Sequence, residues 1–178
     1  MRWWQGERPR VPDAVLEAVR AAGVERRERV LASAETEEGT WLLGTRDRLV
    51  IVAPAGTVTL LSWERVHRAD WESESSTLRV EEVQDWGAPV SLRSFVLEDP
   101  HVLLTLVRER VTASVVVQQR VDMERGRGLS VVGRRAPAGS GEITWAFEFD
   151  EGVDPDDPAV QVVAEAALRD AKDSLGLG

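Results

Sequence analysis

The stretch WLLGTRDRLVIVAPAGTVTLLSWERVHRADW, residues 41–71, decides the fold of this chain. Two short apolar runs flank a polar turn at residues 45–48, and a second turn at residues 54–56 contains a glycine and leads into a third run. Short apolar runs separated by closely spaced turns are typical of antiparallel strands. The stretch therefore predicts a small antiparallel barrel, an architecture that favours a binding scaffold over an enzyme.

The same pattern continues on both sides of this stretch. Residues 66–71 form a further short strand, and apolar residues alternate with polar ones over residues 29–35, 77–83 and 90–97, which brings the predicted total to seven short strands. The spacing then becomes helical, because Asp99 can cap a helix that has Pro100 in its first turn. The apolar face of this predicted helix consists of Val102, Leu103, Leu106 and Val107.

This order of elements carries a resemblance to a known family. GTRDRLVIV (residues 44–52) followed by GTVTLLSWERV (residues 56–66) resembles the bacterial PH-like domains, which are pleckstrin-homology-like and GRAM-like. The chain as a whole is similar to actinobacterial proteins of this kind. The resemblance implies a seven-stranded antiparallel barrel or sandwich with a capping helix over residues 26–113. An unrelated small β-barrel is the alternative.

Residues outside that unit complete a predicted α+β fold. Residues 1–25 form an N-terminal segment with a short helix from Val11 to Ala22. Residues 114–178 extend the unit by a β-hairpin, a strand over residues 143–149 and a helix that starts at Asp157 and Pro158. The apolar face of that strand consists of aromatic residues, and the final helix is the simplest cover for it. We expect this extension to dock on the barrel.

Composition excludes several classes of site. The 178 residues include no cysteine, which rules out disulfides, thiolate zinc sites and cysteine nucleophiles. The net charge of −9 lies mostly in residues 140–178, where the only basic residues that balance ten acidic ones are Arg169 and Lys172. Because nucleic-acid affinity depends on neutralised phosphates, this charge predicts no nucleic-acid partner. Apolar runs are too short to span a bilayer, so we expect no membrane insertion. A fold that needs no disulfides fits the cytoplasm, and we expect the protein there.

Catalytic, metal and cofactor motifs are absent from the sequence. His67 and His101 are the only histidines, and neither stands in a spacing typical of a catalytic triad. The chain lacks a phosphate-binding glycine loop and a dinucleotide fingerprint, which predicts no cofactor. The acidic residues of 150–157 lack the spacing of a calcium loop, and we expect them to cap the last helix. The sequence thus predicts no catalytic, metal or cofactor site.

Arginines are the remaining candidates for a site, because a guanidinium binds phosphate and carboxylate groups bidentately. Two of them stand in the turn at residues 45–48, where PH-like domains of eukaryotes often bind lipid head groups, although the resemblance to the bacterial domains does not imply lipid binding. Five more surround the glycines of a predicted hairpin tip. No lysine cluster accompanies them, so peripheral lipid contact is unsupported. These candidates for binding an anion or a partner are Arg46, Arg48, Arg120, Arg125, Arg127, Arg134 and Arg135.

Two functions follow as hypotheses. The first is a non-catalytic interaction or scaffold module that binds an unknown protein or itself, since an exposed sheet edge can accept a partner strand. The second is a binding protein for a small anionic ligand or lipid head group through its arginine-bearing loops. The tryptophans Trp63, Trp71 and Trp86 are expected to pack in the core or at its rim.

Overall fold

The computed structural model describes residues 10–25, 27–83, 91–98, 100–123, 126–137, 139 and 141–177. These residues form three helices and ten strands, and the strands lie in three antiparallel sheets. The predicted α+β class is confirmed. The predicted positions of Asp99, Trp86 and Arg125 lie outside the described residues. The elements are α1 (Asp13–Ala21), β1 (Ala32–Glu35), β2 (Trp41–Gly44), β3 (Arg48–Val52), β4 (Val58–Ser62), β5 (Val66–Glu72), β6 (Thr77–Glu82), β7 (Ser91–Val96), α2 (His101–Ser114), β8 (Val115–Asp122), β9 (Gly128–Arg134), β10 (Thr144–Phe149) and α3 (Pro158–Ser174).

The first sheet has the order β1-β2-β3-β4 and is covered on both faces. Alternate side chains of a strand point to opposite faces, so adjacent apolar residues can serve two cores. Leu43 and Val50 pack towards Val19 of α1 on one face. Leu42 and Leu49 pack on the other face in a larger core. Every residue of β2 is buried as a result.

The second sheet, β5-β6-β7, shares that larger core with the first sheet and α2. The chain passes from β4 to β5 through a single 3-10 turn, Trp63–Arg65, and the indole of Trp63 is fully buried there. β4 and β5 do not pair, and in the described residues one isolated bridge, Thr36 to Leu97, joins the two sheets. The prediction of a barrel is therefore wrong in that the strands do not close. The turn at Trp63 redirects the chain out of the first sheet, and α2 lies against both sheets.

α2 approaches the first sheet closely at a glycine. A Cβ atom on Gly44 would lie 2.5 Å from Leu106 Cδ2 and 3.3 Å from Leu103 Cδ1. Only a residue without a side chain permits this contact between β2 and the helix.

The third sheet, β10-β9-β8, is formed by the C-terminal extension. One face of β9, with Leu129 and Val131, packs against the small residues of α3. The aromatic side chains of β10 pack in the same cluster, which confirms that the final helix covers them. Asp157 caps this helix, since its carboxylate accepts the N–H of Ala159 at 2.8 Å.

Arg134 of β9 connects this third sheet to the other two. The residue is only 5% exposed. Its Nη1 donates to the carbonyl of Val111 (3.1 Å) and to Ser114 Oγ (3.0 Å), and its Nη2 donates to the carbonyl of His67 (2.7 Å). One buried guanidinium therefore contacts α2 and the edge of β5 together.

In the described part of the chain, no helix has both the length and the apolar character needed to cross a bilayer.

Candidate anion-binding site

The turn between β2 and β3 borders a cavity of about 520 Å³. Three separate parts of the chain enclose it: the segment between α1 and β1, the turn itself and the C-terminal half of α2. Arginines and carboxylates dominate its lining. The lining residues are Gly23, Glu25, Arg27, Glu28, Arg29, Leu31, Arg46, Asp47, Arg48 and Arg110.

A buried threonine shapes the turn on one side of the cavity. The Thr45 hydroxyl accepts the backbone N–H of Arg48 at 3.1 Å and donates to Glu28 Oε1 at 2.6 Å. Threonine hydroxyls commonly replace a backbone group in this way within tight turns. The carbonyl of Thr45 also accepts the indole N–H of Trp63 at 3.2 Å. Hydrogen bonds therefore fix the turn on two sides, to Glu28 beside the cavity and to Trp63 in the core.

An ion pair joins the turn to the preceding segment. Arg48 Nε donates to Glu28 Oε1 at 3.0 Å, and the Glu28 side chain is 8% exposed. This carboxylate thus binds both Thr45 and Arg48, which are close in sequence to each other but distant from Glu28. Removing Thr45 or Arg48 would leave the nearly buried Glu28 carboxylate with fewer hydrogen-bond donors. The contact therefore holds Glu28 and Arg48 in place on one wall of the cavity.

The cavity has an excess of positive charge. Among the described residues, its lining contains five arginines and three acidic residues. Arg27 pairs with Glu25 and Arg48 with Glu28. Within the described residues, the three other arginines, Arg29, Arg46 and Arg110, make no ion pair.

Arg110 is the least exposed of these three arginines. Its Nε is buried and has no hydrogen-bond acceptor within the described part of the chain. Arg46 and Arg29 are exposed at the rim. A guanidinium offers five donors in a planar fork, and charge-assisted hydrogen bonds to phosphate or carboxylate are stronger than neutral ones. The arrangement can therefore bind an anionic group between α2 and the β2–β3 turn.

The hairpin arginines lie elsewhere, and Arg120 is bound to acids of its own sheet. Its Nη2 and Nη1 donate to the two carboxylate oxygens of Asp150 at 2.6 and 3.2 Å, and its Nε donates to Asp122 at 2.9 Å. Hydrogen bonding to Asp150 raises the pKa of Arg120. The hydrogen bond from Arg120, together with the N–H of Gly128 at 2.8 Å, lowers the pKa of Asp150. The expectation that all acids of residues 150–157 cap the last helix is wrong for Asp150.

Two of the other described hairpin arginines also have structural contacts. Arg127 Nη1 donates to the carbonyl of Gly152 at 3.0 Å. Arg134 lies in the junction described above, and desolvation by burial lowers its pKa. Arg135 is half-buried, and its Nε has no acceptor among the described residues. Arg125 lies outside the described residues. None of the three described arginines belongs to the cavity lining, so the structure does not join the two predicted groups.

Three cavity arginines were not predicted from the sequence. Arg27 and Arg29 belong to a charged segment, ERRER (residues 25–29), which has no distinguishing motif. Arg110 was not among the arginines identified as candidates. However, it follows Leu103 and Leu106 by seven and four residues, a spacing that places all three on one face of a helix. That periodicity was the available signal for Arg110.

No cluster of three or more potential metal ligands occurs in the part of the chain that the structure describes. Comparisons of the chain with protein-family models, with curated proteins and with solved structures found no match.

Proposed function

We propose that this protein is a non-catalytic binding module of PH-like fold that takes a phosphate or carboxylate group into the arginine-lined cavity. One observation carries the proposal: three unpaired arginines from three separate parts of the chain line a single cavity. Converging donors from distant segments are typical of a ligand site, whereas a solvated polar turn would contribute residues from one segment.

The PH-like part of the proposal is supported by the order of elements. Four strands in one sheet are followed by three in a second sheet, and then by a helix that packs on both. This order agrees with the one implied by the resemblance at residues 44–66.

The non-catalytic part is supported by the cavity's residue types. The described residues of the lining include no histidine, serine or threonine, so they offer none of the common combinations of a nucleophile and a histidine base. Guanidinium groups position and stabilise anions without taking up or releasing protons near neutral pH. We therefore propose binding rather than turnover, in the cytoplasm. The anionic group belongs to a small molecule, a lipid head group or a protein partner.

The first experiment is isothermal titration calorimetry with inorganic phosphate at low salt. The test variant is Arg46→Gln/Arg110→Gln, which keeps polar side chains of similar length but removes both unpaired charges. We expect phosphate affinity to fall by about tenfold or more, because each charge-assisted hydrogen bond contributes about 1.5–3 kcal/mol. The matched control is Arg108→Gln, which changes the same charge on the exposed face of the same helix and should leave affinity unchanged.

Absence of phosphate binding in the wild type would contradict the proposal, and so would equal affinity in the wild type and the double variant. Co-sedimentation with phosphatidylcholine vesicles, with and without phosphatidylinositol phosphate, then separates the sources of the group. Binding that requires the phosphoinositide and is lost in the double variant identifies a lipid head group. Phosphate binding without vesicle binding identifies a soluble or protein-borne anion.

A further inference from the structure

A groove lies next to the arginine-lined cavity and follows α2 towards the N-terminus of that helix. It has a volume of about 360 Å³ and separates the beginning of β1 from the N-terminal part of α2. Leu31 lines both the groove and the cavity, so the two spaces are adjacent. Four apolar residues line this apolar groove: Leu31, Ala32, Val102 and Leu106.

Two of these apolar side chains are exposed. Leu31 is 38% exposed and Val102 is 50% exposed. Within the described part of the chain, neither packs in an apolar core, whereas Leu103, the next residue after Val102, is fully buried. Exposed apolar residues scattered over a surface are ordinary, but apolar side chains that line one concave space beside polar groups are typical of a ligand site.

The two adjacent spaces differ in charge. The arginine-lined cavity has an excess of positive charge, whereas the described lining of the apolar groove includes no arginine or lysine, and Glu109 contributes a carboxylate there. The Thr105 hydroxyl in the groove already donates to the carbonyl of His101 at 2.9 Å. Because the Glu109 carboxylate repels an anion, a ligand with a charged and an apolar part would place its charge in the cavity and its apolar part in the groove.

Residue spacing on both walls sets the arrangement of those two parts. Val102, Leu106 and Arg110 lie on successive turns of α2, and the helical rise places Val102 about 12 Å from Arg110 along the axis. On the opposite wall, Arg29 and Leu31 are two residues apart in the extended segment before β1, a spacing that directs side chains to one face. On each wall an arginine of the cavity is therefore followed by apolar residues of the groove.

We propose that the ligand is a small amphipathic anion, a phosphate or carboxylate that carries one unbranched apolar chain. Its charged group binds at Arg46 and Arg110, and its chain lies in the apolar groove from Leu31 to Val102. The cavity and the groove each have a volume within the range of about 300–1,000 Å³ that is typical of small-molecule sites, which favours a free small molecule over a macromolecular partner. This inference rests on the proposed function, because the charged group uses the same arginines.

Isothermal titration calorimetry with inorganic phosphate and with monoalkyl phosphates from ethyl to octyl, below the concentrations at which they form micelles, tests this inference. We expect affinity to rise about twofold to fourfold with each added methylene group, because each methylene that enters the groove is removed from water. Val102→Ser should bind octyl phosphate about threefold more weakly, or weaker still, and inorganic phosphate as the wild type does. The matched control is Val162→Ser, the same change at a 68% exposed position of α3, which should leave both affinities unchanged.

The outcomes separate this inference from the proposed function. If the wild type binds inorganic phosphate but binds octyl phosphate no more tightly, the amphipathic ligand is wrong and the proposed function stands. If the wild type binds neither, both are wrong. Equal octyl phosphate affinity in the wild type and Val102→Ser would overturn the inference, because the chain would then lie outside the groove. Octyl phosphate affinity that is unchanged in Arg46→Gln/Arg110→Gln would overturn it as well, because the charged group would not be bound by these arginines.

Discussion

At the scale of single residues, three arginines show how neighbours assign different roles to one residue type. Arg120 has two carboxylates within hydrogen-bond distance and is held as an ion pair. Arg134 has only neutral acceptors and is buried among them. Arg46 lies at the rim of a cavity, and no described carboxylate pairs with it. Arg46 can therefore bind an external anion, whereas the guanidinium groups of Arg120 and Arg134 already bind other parts of the chain.

The lowered pKa of Asp150 predicts a pH-dependent contribution to stability. A carboxyl group whose pKa is lower in the folded protein stabilises the fold above its unfolded pKa of about 3.9. That contribution is lost as the pH falls through the lower, folded pKa. We expect Asp150→Asn to reduce the melting temperature near neutral pH, and the difference from wild type to disappear in strong acid.

Differential scanning calorimetry at several pH values measures that difference. Asp156→Asn, in the same acidic segment, is the control, because the Asp156 side chain makes no hydrogen bond or ion pair in the described residues. An Asp150→Asn deficit that stays constant down to strongly acidic pH would contradict the assignment of the effect to this carboxylate.

At the scale of elements, the fit between β2 and α2 depends on one missing side chain. The Cβ of an alanine at position 44 would overlap Leu106, so the helix would have to move or Leu106 would have to change rotamer. Inserting a methyl group into a packed core costs about 1–3 kcal/mol. We expect Gly44→Ala to lower the free energy of unfolding by about that amount, as measured by urea denaturation.

The double variant Gly44→Ala/Leu106→Val isolates this contact. Shortening Leu106 makes room for the new methyl group. The double variant should therefore lose less free energy of unfolding than the sum of the losses in the two single variants. Strict additivity would show that the cost of the alanine arises elsewhere, for example from a change in the strand backbone.

At the scale of the whole molecule, the buried guanidinium of Arg134 couples the third sheet to α2 and β5. Arg134→Met keeps most of the side-chain volume but removes the three donated hydrogen bonds. We expect it to lower the free energy of unfolding by about 1–3 kcal/mol, because buried acceptors are left without donors. Hydrogen exchange should increase throughout β8–β10 and α3 relative to the first two sheets.

Arg135→Met is the control for that change, since Arg135 is the next residue and its side chain donates no hydrogen bond in the described part of the chain. Uniform hydrogen exchange across all three sheets in Arg134→Met would show that the third sheet does not depend on this residue for docking.

The elements of the fold could be predicted from local pattern, and their boundaries agree to within a few residues. β6 was expected at residues 77–83 and is Thr77–Glu82, and the Asp157 cap of α3 was predicted from two residues. Alternation and capping are local, so a short stretch is enough to reveal them. Sheet assignment was not predictable in this way. The 3-10 turn at Trp63 directs the chain out of the first sheet and so separates β4 from β5. That separation depends on packing with α2.

The sequence by itself determined the class of the fold, the order of its strands and helices, and the absence of cysteine chemistry. It also placed Arg46 and Arg48 in one turn. Only the tertiary structure decided that Arg29 and Arg110, 19 residues before and 62 residues after Arg48, line the same cavity. It likewise decided that Arg120 and Arg134 serve the fold. The physical reason is that periodicity reports which face of its own element a residue occupies, whereas a site depends on which faces meet when distant elements pack.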